Sequence, residues 1–173
     1  MTLAVAKAAA LFFFVTVIQV TIVSSIGILG GSPDLVLVTL VAVALTQGSI
    51  FGAVTGFWVG LLLDVARLGT LGFTSLLLTL AGFWIGRYGE TTARDRFHAP
   101  YLSVFAVTVL YAFGALALRF VLGDSVPAHE VVAALPAGVL WNLVLTWPVY
   151  LLVRRLFPPA ELGDRAYEVR LLG

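Results

Sequence analysis

From Gly48 to Asp64 the chain reads GSIFGAVTGFWVGLLLD, with glycine at positions 48, 52, 56 and 60 and a carboxylate at the next fourth step. Residues four apart on a helix lie on one face, so this stretch is a ridge without side chains that ends in Asp64. In water each glycine inside a helix costs about 1 kcal/mol relative to alanine, and four in one row make a poor soluble helix. In lipid the same row has a use. The hydrophobic effect does not draw helices together there, and small residues at four-residue spacing let two backbones come close enough for dispersion contacts to hold them. Four residues slightly exceed one turn, so the ridge drifts around the axis and suits an inclined crossing. Two uses remain open from sequence: a contact between helices of this chain, or a groove that receives a helix of another protein.

The rest of the chain agrees with a membrane setting. Its 173 residues are 61% hydrophobic and 11% charged, with a mean hydropathy of +1.07, which is more apolar surface than a soluble core of this size could hide. A formal net charge of +1, without basic patches interleaved with aromatics, argues against nucleic acid as a partner. There is no cysteine, which removes disulfides, thiolate metal sites and cysteine nucleophiles. Ala8 to Ile28 behind Lys7 is longer than a secretory h-region and reads as an uncleaved first span.

Apolar runs predict an all-α bundle of six transmembrane helices over residues 1–157, followed by a loose or interfacial tail over 158–173. The first helix is expected from Ala4 to Ile26. A second begins at Pro33 and Asp34, where proline suits a first turn and an acid suits the positive end of the helix dipole, and it reaches only Thr46. At 1.5 Å per residue that is roughly 20 Å, short of a hydrocarbon core of ~30 Å. A tight turn over Gln47 to Ser49 leads into the glycine-ridge helix, making a short hairpin that either spans a thinned bilayer or is re-entrant. Further helices are expected over Leu71–Ile85, Tyr101–Leu122 and Val131–Val153, the last interrupted by Pro136 and Pro148. The polar stretch Arg87 to Pro100 reads as a loop. With six spans, Lys7, Arg87, Arg94, Arg96, Arg154, Arg155, Arg165 and Arg170 fall on one side and only Arg67 and Arg119 on the other. This asymmetry places both termini in the cytoplasm. The outer side then gathers Asp34, Asp64, Arg67, Arg119, Asp124, His129 and Glu130.

Catalytic patterns are missing. The two histidines, His98 and His129, belong to no H-E-x-x-H array, and no G-x-S-x-G or P-loop pattern occurs, so no catalytic residue, metal site or cofactor is assigned. Asp64, at the end of an apolar helix, is expected to pair with Arg67 one turn on or with Arg119 near the outer end of the fifth helix. Asn142, beside Trp141 in mid-span of the sixth helix, is expected to hydrogen-bond a neighbouring helix or to line a small cavity.

A first span, the Pro33-Asp34 start of a short apolar helix, a tight turn, G-x-x-x-G-x-x-x-G-L-L-L-D over Gly52 to Asp64 and the Leu71-Gly72 step together resemble the rod shape-determining protein MreD family. Thr70 stands where the family usually carries proline. The resemblance covers most of residues 1–157. It implies a non-enzymatic scaffold of the bacterial inner membrane, part of the elongasome that drives peptidoglycan synthesis. The partners it implies are an MreC-like bitopic membrane protein and, more widely, a RodA-type glycosyltransferase, a penicillin-binding transpeptidase, MreB filaments and membrane lipids. It also implies kinship in fold with the substrate-binding components of energy-coupling-factor transporters. A small-molecule transporter subunit is therefore the alternative function.

Overall fold

A computed structural model of the protein describes residues 2–21, 33–68, 70–93, 98–123 and 128–157. Six helices follow in order, with no strand among the described residues: α1 (Thr2–Thr21), α2 (Leu35–Gln47), α3 (Ser49–Ala66), α4 (Phe73–Tyr88), α5 (Ala99–Val121) and α6 (Ala128–Leu156). A one-turn π segment, Gly89–Ala93, continues α4. By length and composition α1, α3, α5 and α6 can each cross a membrane, whereas α2 has 13 residues and α4 has 16. The stretch from Arg87, expected to be loop, is helical through Ala93, because the first of its residues pack beneath α2. The segment 22–32, the loop residues 94–97 and 124–127, and the tail 158–173 lie outside the described residues.

The shortest helix is the centre. Every residue of α2 from Val36 to Thr46 is buried, and α1, α3, α4, α5 and α6 all touch it. Around this axis the five run α1, α3, α4, α5, α6, with the tightest contact between α3 and α4 and the loosest between α6 and α1. At one end Ala8 and Phe12 of α1 belong to the same buried cluster as Val153 and Phe157, together with residues of α2, α3 and α4. An α2 enclosed in this way needs no polar face. Its two threonines turn inward to their own backbone, Thr39 Oγ1 donating to the Leu35 carbonyl at 2.7 Å and Thr46 Oγ1 to the Ala42 carbonyl at 3.0 Å.

The glycine ridge lies wholly against this chain's own helices. A Cβ at Gly52 would come within 2.5 Å of the Gly82 carbonyl oxygen, and one at Gly82 would collide in turn with the Gly52 carbonyl. At Gly56 the obstacle is the Leu78 carbonyl, at Gly60 the backbone of Ser75, and at Gly86 that of Gly48 and Ser49. Two backbones therefore touch along the whole length of α3 and α4, which is the internal use of the ridge. Ser75 adds a hydrogen bond across the same contact, its Oγ donating to the Phe57 carbonyl at 2.9 Å. Helix α3 is thus sorted by size rather than polarity: Gly52, Gly56 and Gly60 face α4, while Ile50, Val54, Phe57 and Trp58 face outward.

Helix α6 differs from expectation. It is continuous through Pro136 and Pro148, both on the exposed side, where the pyrrolidine rings displace no neighbour.

Alanine has the better helix propensity, by about 1 kcal/mol, so Gly82→Ala would stabilise a freely exposed helix. Here the added methyl meets a carbonyl that cannot move without its helix. Gly82→Ala should therefore destabilise the protein by about 1–3 kcal/mol, and Gly56→Leu by more. Val54→Leu, on the outward face of the same helix, should be nearly neutral. Thermal unfolding of the three variants in detergent checks the order, and a neutral Gly56→Leu would contradict the contact.

Candidate functional site

A short helix enclosed in protein brings its unpaired backbone ends with it. The first N–H groups and last carbonyls of any helix lack partners within the helix, and in a membrane no water supplies them. Three helix starts in this protein are satisfied by side chains. These side chains are also the principal polar groups of the interior.

At the start of α2, Asp34 is the N-cap, its carboxylate accepting from the Leu37 N–H at 2.9 Å. The flanking peptide groups are clamped by two amides from other helices. Gln19 of α1 donates through Nε2 to the Pro33 carbonyl at 3.0 Å and accepts through Oε1 from the Leu35 N–H at 2.8 Å. Asn142, halfway along α6, accepts from the Asp34 N–H at 2.7 Å and donates to Thr108 Oγ1 of α5 at 3.1 Å. One node thus joins α1, α2, α5 and α6, with Gln19 and Asn142 only 3% and 2% exposed. Asn142 does bond neighbouring helices, as its mid-span position suggests.

At the start of α4 the N-cap position is Gly72, which has no side chain and a backbone in the left-handed region (φ 89°). The cap comes from Asp64. Its Oδ2 accepts from the Gly72 N–H at 2.8 Å, and both oxygens accept from the Thr74 N–H at 3.1 and 3.2 Å. The expected ion pair of Asp64 with Arg67 or Arg119 is therefore corrected: among the described residues neither arginine is within ion-pair distance of it. Backbone N–H groups already saturate the carboxylate at the positive end of a helix. Arg67 is exposed, and Arg119 stands over the Phe73 ring at 5.9 Å.

The start of α3 repeats the device at the opposite end of the bundle. Gly48 is again an N-cap without a side chain, at φ 93°, and the cap is Glu90 of the π segment. Glu90 Oε1 accepts from the Ser49 N–H at 2.7 Å and from Ser49 Oγ at 2.9 Å, while Oε2 faces Arg87 at 3.7 Å. The φ favours glycine here, and a Cβ at Gly48 would lie 2.6 Å from that Oε1, so a side chain would also push the Glu90 carboxylate aside.

These groups hold helix ends, and none of the three nodes aligns a nucleophile with a base. Among the described residues no three of His, Asp or Glu cluster as metal ligands would, and His129 and Glu130 are both exposed. Gln19, Glu90, Thr74 and Thr108 were not singled out by sequence. For Gln19 a signal existed, a lone amide within an apolar run.

Comparison with known proteins addresses what this six-helix frame belongs to. A family model described as rod shape-determining protein MreD matches residues 2–157. The chain belongs to the MreD family. The match ends at Phe157, one residue past the end of α6, and it takes in all six helices and the three nodes. Membership carries a role in rod-shape determination, in a family that is structural rather than enzymatic, and agrees with a multi-pass membrane protein. Neither curated proteins nor solved structures give a significant match to the chain.

If Asp64 acts as the cap of α4, Asp64→Ala should lower stability by about 2 kcal/mol, and Asp64→Asn by less, because one acceptor oxygen remains. Arg67→Gln and Arg119→Gln should each change it by under about 0.5 kcal/mol. Unfolding in detergent, with hydrogen exchange read at the Gly72 and Thr74 amides, distinguishes cap from ion pair. An arginine variant as damaging as Asp64→Ala would restore the ion pair.

Proposed function

We propose that this protein is a non-enzymatic scaffold of the rod-shape machinery whose membrane surface holds a single-span partner of the MreC type. The supporting observation is the outer half of the α5–α6 pair. From Val109 to Trp141 no described residue is buried, although the stretch is apolar almost throughout. Its inward positions carry small side chains, among them Ala112, Ala115, Ala134, Ala137 and Gly138, all only half-buried. Small residues that leave two backbones accessible are what α3 offers to α4, and on α5–α6 no described residue of this chain buries the equivalent surface. The glycine ridge is consumed internally, so the partner surface moves from that ridge to this pair.

Orientation belongs to the same reading. Described cations Lys7, Arg87, Arg154 and Arg155 belong to helix ends on one side of the bundle, and Arg67 and Arg119 to those on the other, so both termini are cytoplasmic by the positive-inside rule. Single cysteines at Thr91 and Ala160 should resist an impermeant thiol reagent in intact cells, and one at Ser125 should react. Labelling at Thr91 would invert the orientation.

The scaffold itself is tested by co-purification from native membranes. Ala134→Leu and Ala137→Leu should leave a monomer of unchanged thermal stability that retains its bitopic partner at least about tenfold less, the bulk of one added side chain being enough to separate two backbones. Gly56→Leu should instead destabilise the isolated protein first. Recovery of a saturable, solute-specific binding activity with no membrane partner would move the function to a transporter subunit of the energy-coupling-factor type.

A further inference from the structure

The joint between α1 and α6 is the loosest in the ring, and its chemistry differs along its length. At the end that holds the start of α1 and the finish of α6, Ala8 and Phe12 lie in one buried cluster with Val153 and Phe157. Lys7 adjoins Ala8, and Arg154 and Arg155 follow Val153, so three cations from two helices stand next in sequence to members of one buried cluster. All three are exposed, and among the described residues none takes part in an ion pair. Arg87, at the same end of the bundle, is different: it faces Glu90 at 3.7 Å. Away from the cations the joint is apolar, and Leu11, Val15, Val149 and Tyr150 lie half-buried against the same cluster.

We propose that this joint is a binding site for an anionic phospholipid, with its phosphate between Lys7 and the Arg154–Arg155 pair and its acyl chains along Leu11, Val15 and Val149. Charge complementarity selects the head group. A basic recess between transmembrane helices is where a lipid phosphate is held by several cations at once, each contributing about 1 kcal/mol near the surface. The shape of the joint selects a lipid rather than a protein helix. A helix needs an interaxial separation of 8–10 Å from each neighbour, roughly the width of a whole element. Here α2 is buried along its length beneath the joint, and Phe12, Val153 and Phe157, each 2% exposed or less, close it. The half-buried Leu11, Val15 and Val149 remain as apolar surface beside that floor, which suits an acyl chain. A lipid placed there ties α1, the helix with least hold on the ring, to α6 across their loosest contact.

The test uses the full chain in nanodiscs of equal phosphatidylglycerol and phosphatidylcholine with matched acyl chains, followed by native mass spectrometry of the lipids that stay bound on release. Phosphatidylglycerol should be enriched several-fold over its share of the disc. Each of Lys7→Gln, Arg154→Gln and Arg155→Gln should lower that enrichment by roughly fivefold or to the unenriched level, the equivalent of about 1 kcal/mol per charge. Arg87→Gln, outside the joint, should leave it unchanged. A bulky Val149→Trp, placed on that apolar surface with all cations retained, should reduce the retained lipid without altering the monomer's helical circular dichroism. Equal loss in Arg87→Gln would show only a diffuse attraction of anionic lipid to a basic end, and overturns the site. Equal retention of both lipids by the unaltered protein, or a protein chain recovered in the joint in place of lipid, overturns it as well.

Discussion

A helix of 13 residues cannot place both of its ends in water across a bilayer, and this constraint organises the structure. Each unpaired N–H or carbonyl left in hydrocarbon is worth several kcal/mol, so a short central helix is stable only if other elements complete it. Here α2 is enclosed on all sides, and its start is completed by its own Asp34 together with amides from α1 and α6. Gln19 and Asn142 both reach the same few peptide groups, which fixes α1 and α6 beside the start of α2.

The same need recurs at α3 and α4, and there the solution depends on glycine. Gly48 and Gly72 adopt left-handed backbone at two tight corners and carry no cap of their own. Acids from elsewhere in the chain, Glu90 and Asp64, supply the missing oxygens. Each borrowed cap also locks a helix pair: Asp64 fastens the end of α3 to the start of α4, and Glu90 fastens the far end of α4 to the start of α3. The glycine contacts at Gly52, Gly56, Gly60 and Gly82 hold the two helices between these fastenings. The α3–α4 pair is therefore closed at both ends and along its middle.

This economy of polar groups bears on what the protein does within the MreD family. The interior carboxylates and amides are engaged in holding helix ends, so the surface is what distinguishes one region of the molecule from another. That surface is not uniform. One region is the small-residue outer half of α5–α6, and another is the α1–α6 joint with its three exposed cations. On the proposed reading the first takes a helix and the second a lipid, because the two differ in the size of their side chains and in charge.

Several features were determined by sequence alone. The glycine row and hydropathy establish a membrane bundle, since no soluble core could use either, and the lone short span between Pro33 and Gly48 is visible as a run too brief to cross. The match of G-x-x-x-G-x-x-x-G-L-L-L-D and the Pro33-Asp34 start to a known family is likewise a property of the string. Tertiary structure decided which partner each of these features meets. A ridge of glycines is equally suited to a helix of the same chain or of another, and only the approach of Gly82 and Ser75 shows it to be filled from within. Asp64 lies one turn from Arg67 in sequence, so a local ion pair was the reasonable expectation. The fold instead brings the bare N–H groups of α4 to it, and a helix start denied water is the stronger claimant on a carboxylate. Glu90, within a stretch that reads as polar loop, is the extreme case: its role depends on Ser49, 41 residues away, and no local pattern encodes that distance.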